Sequence, residues 1–89
     1  MAANKESEKE DACNTYDQLA EIVMTYRQTG APMSAMYSKD FGTPDRNKLV
    51  RGMLEEAYKS PKYQSEQVKK NEINEFRNRK FLECIRLYK

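Results

Sequence analysis

The sequence predicts an all-α fold, a small three-helix bundle in which a short connecting helix could count as a fourth. Apolar residues recur at three- and four-residue spacing over long stretches, which is typical of helices with one buried face. Two dipeptides in which Thr or Ser precedes proline, beginning at Thr43 and Ser60, mark helix boundaries, because proline suits the first helical position. A glycine followed closely by proline, Gly30 and Pro32, marks a helix end.

The clearest predicted helix covers residues 44–59. The Thr43 hydroxyl can accept a hydrogen bond from a free first-turn amide, and Asp45 places negative charge at the positive end of the helix dipole. Its predicted buried face is formed by Leu49, Val50, Met53, Leu54, Ala57 and Tyr58. Gly52 costs about 1 kcal/mol against alanine inside a helix, which would be offset if another backbone lay close to it.

The first predicted helix covers residues 15–29. Thr15 and Gln18 fit a capping box, in which the threonine caps the helix and the glutamine reaches back to it. The apolar arc that follows is broad, because Ile22 and Tyr26 widen it. Residues 1–13 contain four acids and no large apolar residue after Met1, so we expect a flexible acidic tail followed by one helical domain over residues 14–89.

The connection over residues 31–42 contains too many apolar residues for a free loop. It predicts a short helix near residues 33–38 that carries Met33, Met36 and Tyr37. One interpretation is a lid over the end of the core. The other is an adaptable binding surface, because thioethers repack around different partners.

The last predicted helix covers residues 62–88, with a break at Asn71 as an alternative. Its end is crowded with apolar residues: Phe81, Cys84, Ile85 and Tyr88 share one face, with Leu82 and Leu87 beside it. These exceed the arc that one helix buries in a three-helix core. We therefore expect Leu87 and Tyr88 to be exposed.

The composition indicates a folded domain of marginal stability. Only 14 of 89 residues are Leu, Ile, Val or Phe, an apolar content low enough to be typical of disordered chains. The net charge of only +2, however, lacks the strong charge imbalance that disordered chains also show. A small domain with so few large apolar residues is expected to gain stability from a partner or from a second copy of itself.

Several classes of function are not supported by the residues present. The chain has no histidine and no phosphate-binding glycine motif, so the sequence predicts a protein that is not an enzyme and has no metal, cofactor or small-molecule substrate. Two cysteines, Cys13 and Cys84, lie far apart, and no signal-like apolar run or membrane-length run is present. These features favour an intracellular protein, cytoplasmic or nuclear, without a membrane partner.

The best-supported functional prediction is a protein–protein interaction module or small assembly or adaptor subunit, which binds another protein or a second copy of itself through an exposed apolar helical surface. The residues predicted to bind the partner are Met33, Met36, Tyr37, Phe81, Ile85, Leu87 and Tyr88. The alternative is a weak RNA- or DNA-binding accessory domain that uses the basic last helix. Its candidate residues are Lys69, Lys70, Arg77, Arg79 and Lys80.

Overall fold

A computed structural model describes the backbone of residues 3–87 and the side chains of residues 6–87. The chain forms four helices, α1 (Ala3–Gln28), α2 (Met33–Tyr37), α3 (Pro44–Ala57) and α4 (Glu66–Leu87). The described range contains no strand. The predicted all-α bundle is confirmed, and α2 is the short connecting helix.

Helix α3 begins as its sequence predicts. The Thr43 hydroxyl accepts a hydrogen bond from the Arg46 amide at 3.1 Å, and Pro44 occupies the first helical position. Val50, Met53, Leu54 and Ala57 are buried. No other backbone lies close to Gly52, because a Cβ built there would meet nothing within 4 Å.

Helix α1 begins twelve residues before the predicted start at Thr15. Thr15 is not a cap, because its hydroxyl donates to the Asp11 carbonyl within the helix. The expectation that residues 1–13 precede the helical structure is therefore wrong for residues 3–13. Their polar composition reflects a helix whose sides face solvent, and Cys13 is fully buried.

Helices α1 and α4 form an antiparallel pair. Cys13, ten residues into α1, is disulfide-bonded to Cys84, near the end of α4, with the two Cα atoms 5.4 Å apart. At the other end, the Gln28 side chain contacts the backbone that leads into α4. The fold thus brings together two cysteines that are separated by 71 positions in the sequence.

One apolar core joins all four helices. Its buried members are Ala20, Val23, Met24, Met36, Val50, Met53, Leu54, Ala57 and Phe76. Met36 is only 5% exposed, and Met33 and Phe41 pack against the same cluster. The lid interpretation of residues 31–42 is thus the one that the packing supports.

Helix α4 is continuous through Asn71 but begins at Glu66, four residues later than predicted. Ser65 precedes it, and its hydroxyl accepts from the Val68 amide at 3.4 Å, so Ser65 rather than Ser60 caps the helix. Residues 61–63 instead form a connection bound to Gln28. None of the four described helices is long and apolar enough to cross a membrane.

Candidate functional site

The first candidate surface is a groove between α1 and α2, which we call the α1–α2 groove. It has a volume of about 410 Å³. Its lining residues are Glu21, Ile22, Thr25, Tyr26, Thr29 and Met36. Ile22 is 48% exposed, whereas Met36 at the base is almost completely buried. The groove therefore combines an accessible aliphatic side chain with a thioether anchored in the core.

The other two α2 residues predicted to bind a partner are only partly available. Met33 is half-buried against the core, whereas Tyr37 is 41% exposed and has the Arg51 guanidinium over its ring at 5.2 Å. Arg51 also donates to the Tyr37 carbonyl. Internal contacts of the fold thus occupy part of the surface that the sequence suggested for binding.

The second predicted surface, at the end of α4, is smaller and more charged. Phe81 and Ile85 are half-buried and line a cavity of about 260 Å³ beside Cys13. The other lining residues are Glu6, Lys9 and Glu10. Leu87 is 70% exposed, so the prediction of its exposure is confirmed. Tyr88, the remaining predicted partner residue, lies outside the described residues.

The two predicted surfaces do not form one site. The cavity beside Phe81 lies next to Lys9, whereas the α1–α2 groove includes Thr25. The nearest α1 residues in the two linings, Cys13 and Glu21, are eight positions apart, which corresponds to about 12 Å along the helix axis.

Arg77, predicted as a nucleic-acid contact, is instead bound to α1. Its guanidinium donates to both carboxylate oxygens of Asp17, at 2.7 and 3.0 Å, and to Glu21 at 2.9 Å. The hydrogen bonds from Arg77 hold the pKa of Asp17 below its ordinary value, and the Asp17 carboxylate raises the pKa of Arg77. This bidentate pair links the two long helices across their contact face.

Lys80 is also an internal residue, with its side chain only 8% exposed. Its ammonium donates to Glu56 of α3 and to Glu83, and it lies 5.6 Å from the centre of the Phe76 ring. Such a buried cation must be paired, because desolvation without a partner would cost several kcal/mol.

The remaining basic candidates are closer to solvent. Arg79 pairs with Glu56 at 3.5 Å and Lys69 with Glu66 at 3.6 Å. Of the five predicted nucleic-acid residues, only Lys70 has no ion pair within the described part of the chain. Neighbouring acids therefore neutralise most of the basic character of α4.

A polar cavity that the sequence did not predict lies between α1 and α4. It has a volume of about 490 Å³ and is lined by Asn14, Asp17, Asn74, Arg77, Asn78 and Phe81. Asn74 and Asn78 are four positions apart and so lie on the same side of α4, and this spacing is the one signal in the sequence that could have indicated the polar cavity. Within the described residues, no group of three or more acids or cysteines is placed to hold a metal ion.

Comparison with known proteins adds no assignment to this geometry: no family model, curated protein or solved structure matched the chain.

Proposed function

We propose that this protein is a non-enzymatic interaction module that binds an amphipathic helix of a partner protein in the α1–α2 groove. The observation that carries the proposal is the exposed Ile22 beside the core-anchored Met36. A helix presents apolar side chains at intervals of three and four residues, and a groove between two helices is a common receptor for such a stripe.

The chemistry of the groove fits this class of partner. Ile22 offers an accessible aliphatic side chain, the partly buried Tyr26 offers an aromatic ring, and the buried Met36 forms an apolar base. Thr25 and Thr29 are both exposed at the same groove. They would lie beside the polar flank of an amphipathic helix while its apolar stripe contacts Ile22.

The other surfaces support the proposal less well as binding sites. The cavity at the end of α4 is bordered by three charged residues, so a smaller part of it could receive an apolar side chain. The nucleic-acid alternative has weaker support than its sequence suggested, because Arg77 and Lys80 bind carboxylates within the fold. Their charges are therefore not available in full to a phosphate backbone.

A matched pair of substitutions tests the proposal. Ile22→Asp places a charge in the α1–α2 groove, whereas Leu82→Asp places one on α4 at a residue of nearly equal exposure, 48% against 45%. A photo-crosslinking amino acid at Thr25 identifies the bound protein in the cells that make this chain. A synthetic helix from that protein then provides the probe for a titration.

The expected result is a loss of affinity of about 10- to 100-fold for Ile22→Asp and little change for Leu82→Asp. Affinity that changes little with salt would agree with apolar contact, whereas steep weakening would favour phosphate binding. Equal binding by the wild type and Ile22→Asp would refute the groove as the site. Crosslinking only to a second copy of this chain would show that the groove mediates self-association instead of binding another protein.

A further inference from the structure

The disulfide lies at an end of the bundle beyond the contiguous cluster of buried apolar side chains. The contiguous buried cluster includes Ala20 of α1 and Phe76 of α4 but neither cysteine. Between residues 6 and 14, Cys13 is the only fully buried side chain, and between residues 81 and 87 the only one is Cys84. The covalent bond therefore takes the place of a hydrophobic contact between these helix ends.

The apolar side chains beside Cys13, which are Phe81 and Ile85, are only half-buried. Moving along α4 from Phe76 towards Cys84, the next buried side chain is Lys80, which is held by carboxylates. On α1, the inward-facing residue before Tyr16 is Cys13 itself. Without the disulfide, only partly buried side chains and ion pairs would hold the first half of α1 to the end of α4.

The surroundings of the two sulfurs favour a structural bond over a redox-active one. Cys13 is 0% exposed and Cys84 is 1% exposed. Thiol–disulfide exchange requires a thiolate to reach one of the sulfur atoms, which burial prevents until the helices separate. The cysteines also come from different helices, unlike the closely spaced pair of a disulfide oxidoreductase.

We propose that the protein acts in its oxidised form, in an oxidising environment, and that the Cys13–Cys84 disulfide is required to form the α1–α4 end of the bundle. Oxidation occurs by exchange with a disulfide of an oxidoreductase or of oxidised glutathione. The two thiols of this chain lose two protons and two electrons as the S–S bond forms, and the reacting disulfide is reduced to two thiols. Small domains with limited apolar cores commonly depend on such bonds.

The first experiment measures the redox state in the cells that make the protein. Acid quenching, denaturation and alkylation with a maleimide–polyethylene glycol reagent count the free thiols. We expect no labelled cysteine without reductant and two labelled cysteines after phosphine treatment. Labelling of both cysteines without reductant would overturn the proposal, because the working protein would then be the dithiol.

The second experiment measures what the bond holds, by hydrogen exchange with and without phosphine. Reduction should speed exchange by about 30- to 700-fold in α1 before Tyr16 and in α4 after Lys80. The Cys13→Ala/Cys84→Ala variant should show the same fast exchange without reductant and no response to it. Complete unfolding of that variant would also show that the bond is required. Unchanged protection in both the reduced protein and the variant would overturn the structural role.

Discussion

The most informative stability prediction concerns Gln28, a buried amide that connects α1 to the segment leading into α4. Its side chain is almost inaccessible, with 2% of the residue exposed. Its Nε2 donates to the Pro61 carbonyl at 3.0 Å, and its Oε1 accepts from the Tyr63 amide at 2.9 Å. We expect Gln28→Met, which keeps the unbranched shape and removes both polar atoms, to destabilise the fold.

The size of the effect follows from the two lost hydrogen bonds. Each contributes about 1 kcal/mol, and a partner left buried and unpaired costs about 1–3 kcal/mol. Pro61 is exposed and Tyr63 half-buried, so water can reach part of the released backbone. The additional apolar contact of methionine offsets up to about 1 kcal/mol. The net loss should be about 2 kcal/mol, or about 8–16 °C in melting temperature for a domain of this size.

Urea unfolding followed by far-UV circular dichroism measures this change, and Gln67→Met provides the matched control. Gln67 is exposed, and its amide donates to Asn71 on the helix surface. Its replacement should change the free energy of unfolding by less than about 0.5 kcal/mol. Hydrogen exchange adds a local measurement, because the Tyr63 amide should lose protection in Gln28→Met and keep it in the control.

Gln28→Glu separates the hydrogen-bond explanation from a packing explanation. A carboxylate can still accept from the Tyr63 amide, but only its protonated form can donate to the Pro61 carbonyl. Burial disfavours the charged form, so this variant should be least stable at neutral pH and recover as the pH falls towards about 4.3, the ordinary pKa of glutamate. If Gln28→Met unfolded with the same free energy as Gln67→Met and the Tyr63 amide stayed protected from exchange, Gln28 would not connect α1 to the segment before α4.

Three further substitutions test the backbone and the ion pair. Gly52→Ala should stabilise the protein by about 0.5–1 kcal/mol, because Gly52 lies inside a helix with open space where the Cβ would be. Gly30→Ala should destabilise the protein, because Gly30 has φ +86° and a Cβ there would lie 3.0 Å from the Lys62 ammonium. Thermal melting measures both changes. Asp17→Asn should cost up to about 1 kcal/mol at neutral pH, since the pair with Arg77 is partly exposed. The hydrogen bonds from Arg77 lower the pKa of Asp17 in the folded protein. The stabilisation from this pair is therefore complete above the pKa of Asp17 in the unfolded chain, about 3.9, and is lost as the pH falls through the lower pKa of the folded protein. The unfolding free energies of the wild type and Asp17→Asn should therefore converge as the pH falls, and a constant difference between them would contradict this account.

Local signals in the sequence predicted the elements whose determinants are short-range. Thr43 and Pro44 sufficed for the start of α3, because capping depends on atoms within one helical turn. Gly30 has the positive φ expected after α1. The periodic apolar residues of α3 also identified its buried face, since helical spacing alone decides which side chains point together.

The same local signals failed where distant segments decide the outcome. The Thr15 and Gln18 spacing resembled a helix start, yet α1 continues through it and is bonded to α4 at Cys13. Ser60 resembled the cap of α4, yet Gln28 binds the backbone of residues 61 and 63 and the helix begins after Ser65. A capping pattern fits many positions, and tertiary contacts select among them.

By itself, the sequence determined an all-helical chain, the order of its helices and the greater part of its buried faces. Only the tertiary structure decided that Cys13 meets Cys84, that Arg77 pairs with Asp17, and that Ile22 borders a groove containing Met36. Helical periodicity arises from neighbours three and four residues apart, so it can be recognised in the sequence. The disulfide, the interhelical ion pair and the groove depend on which faces meet, and helical spacing does not specify that.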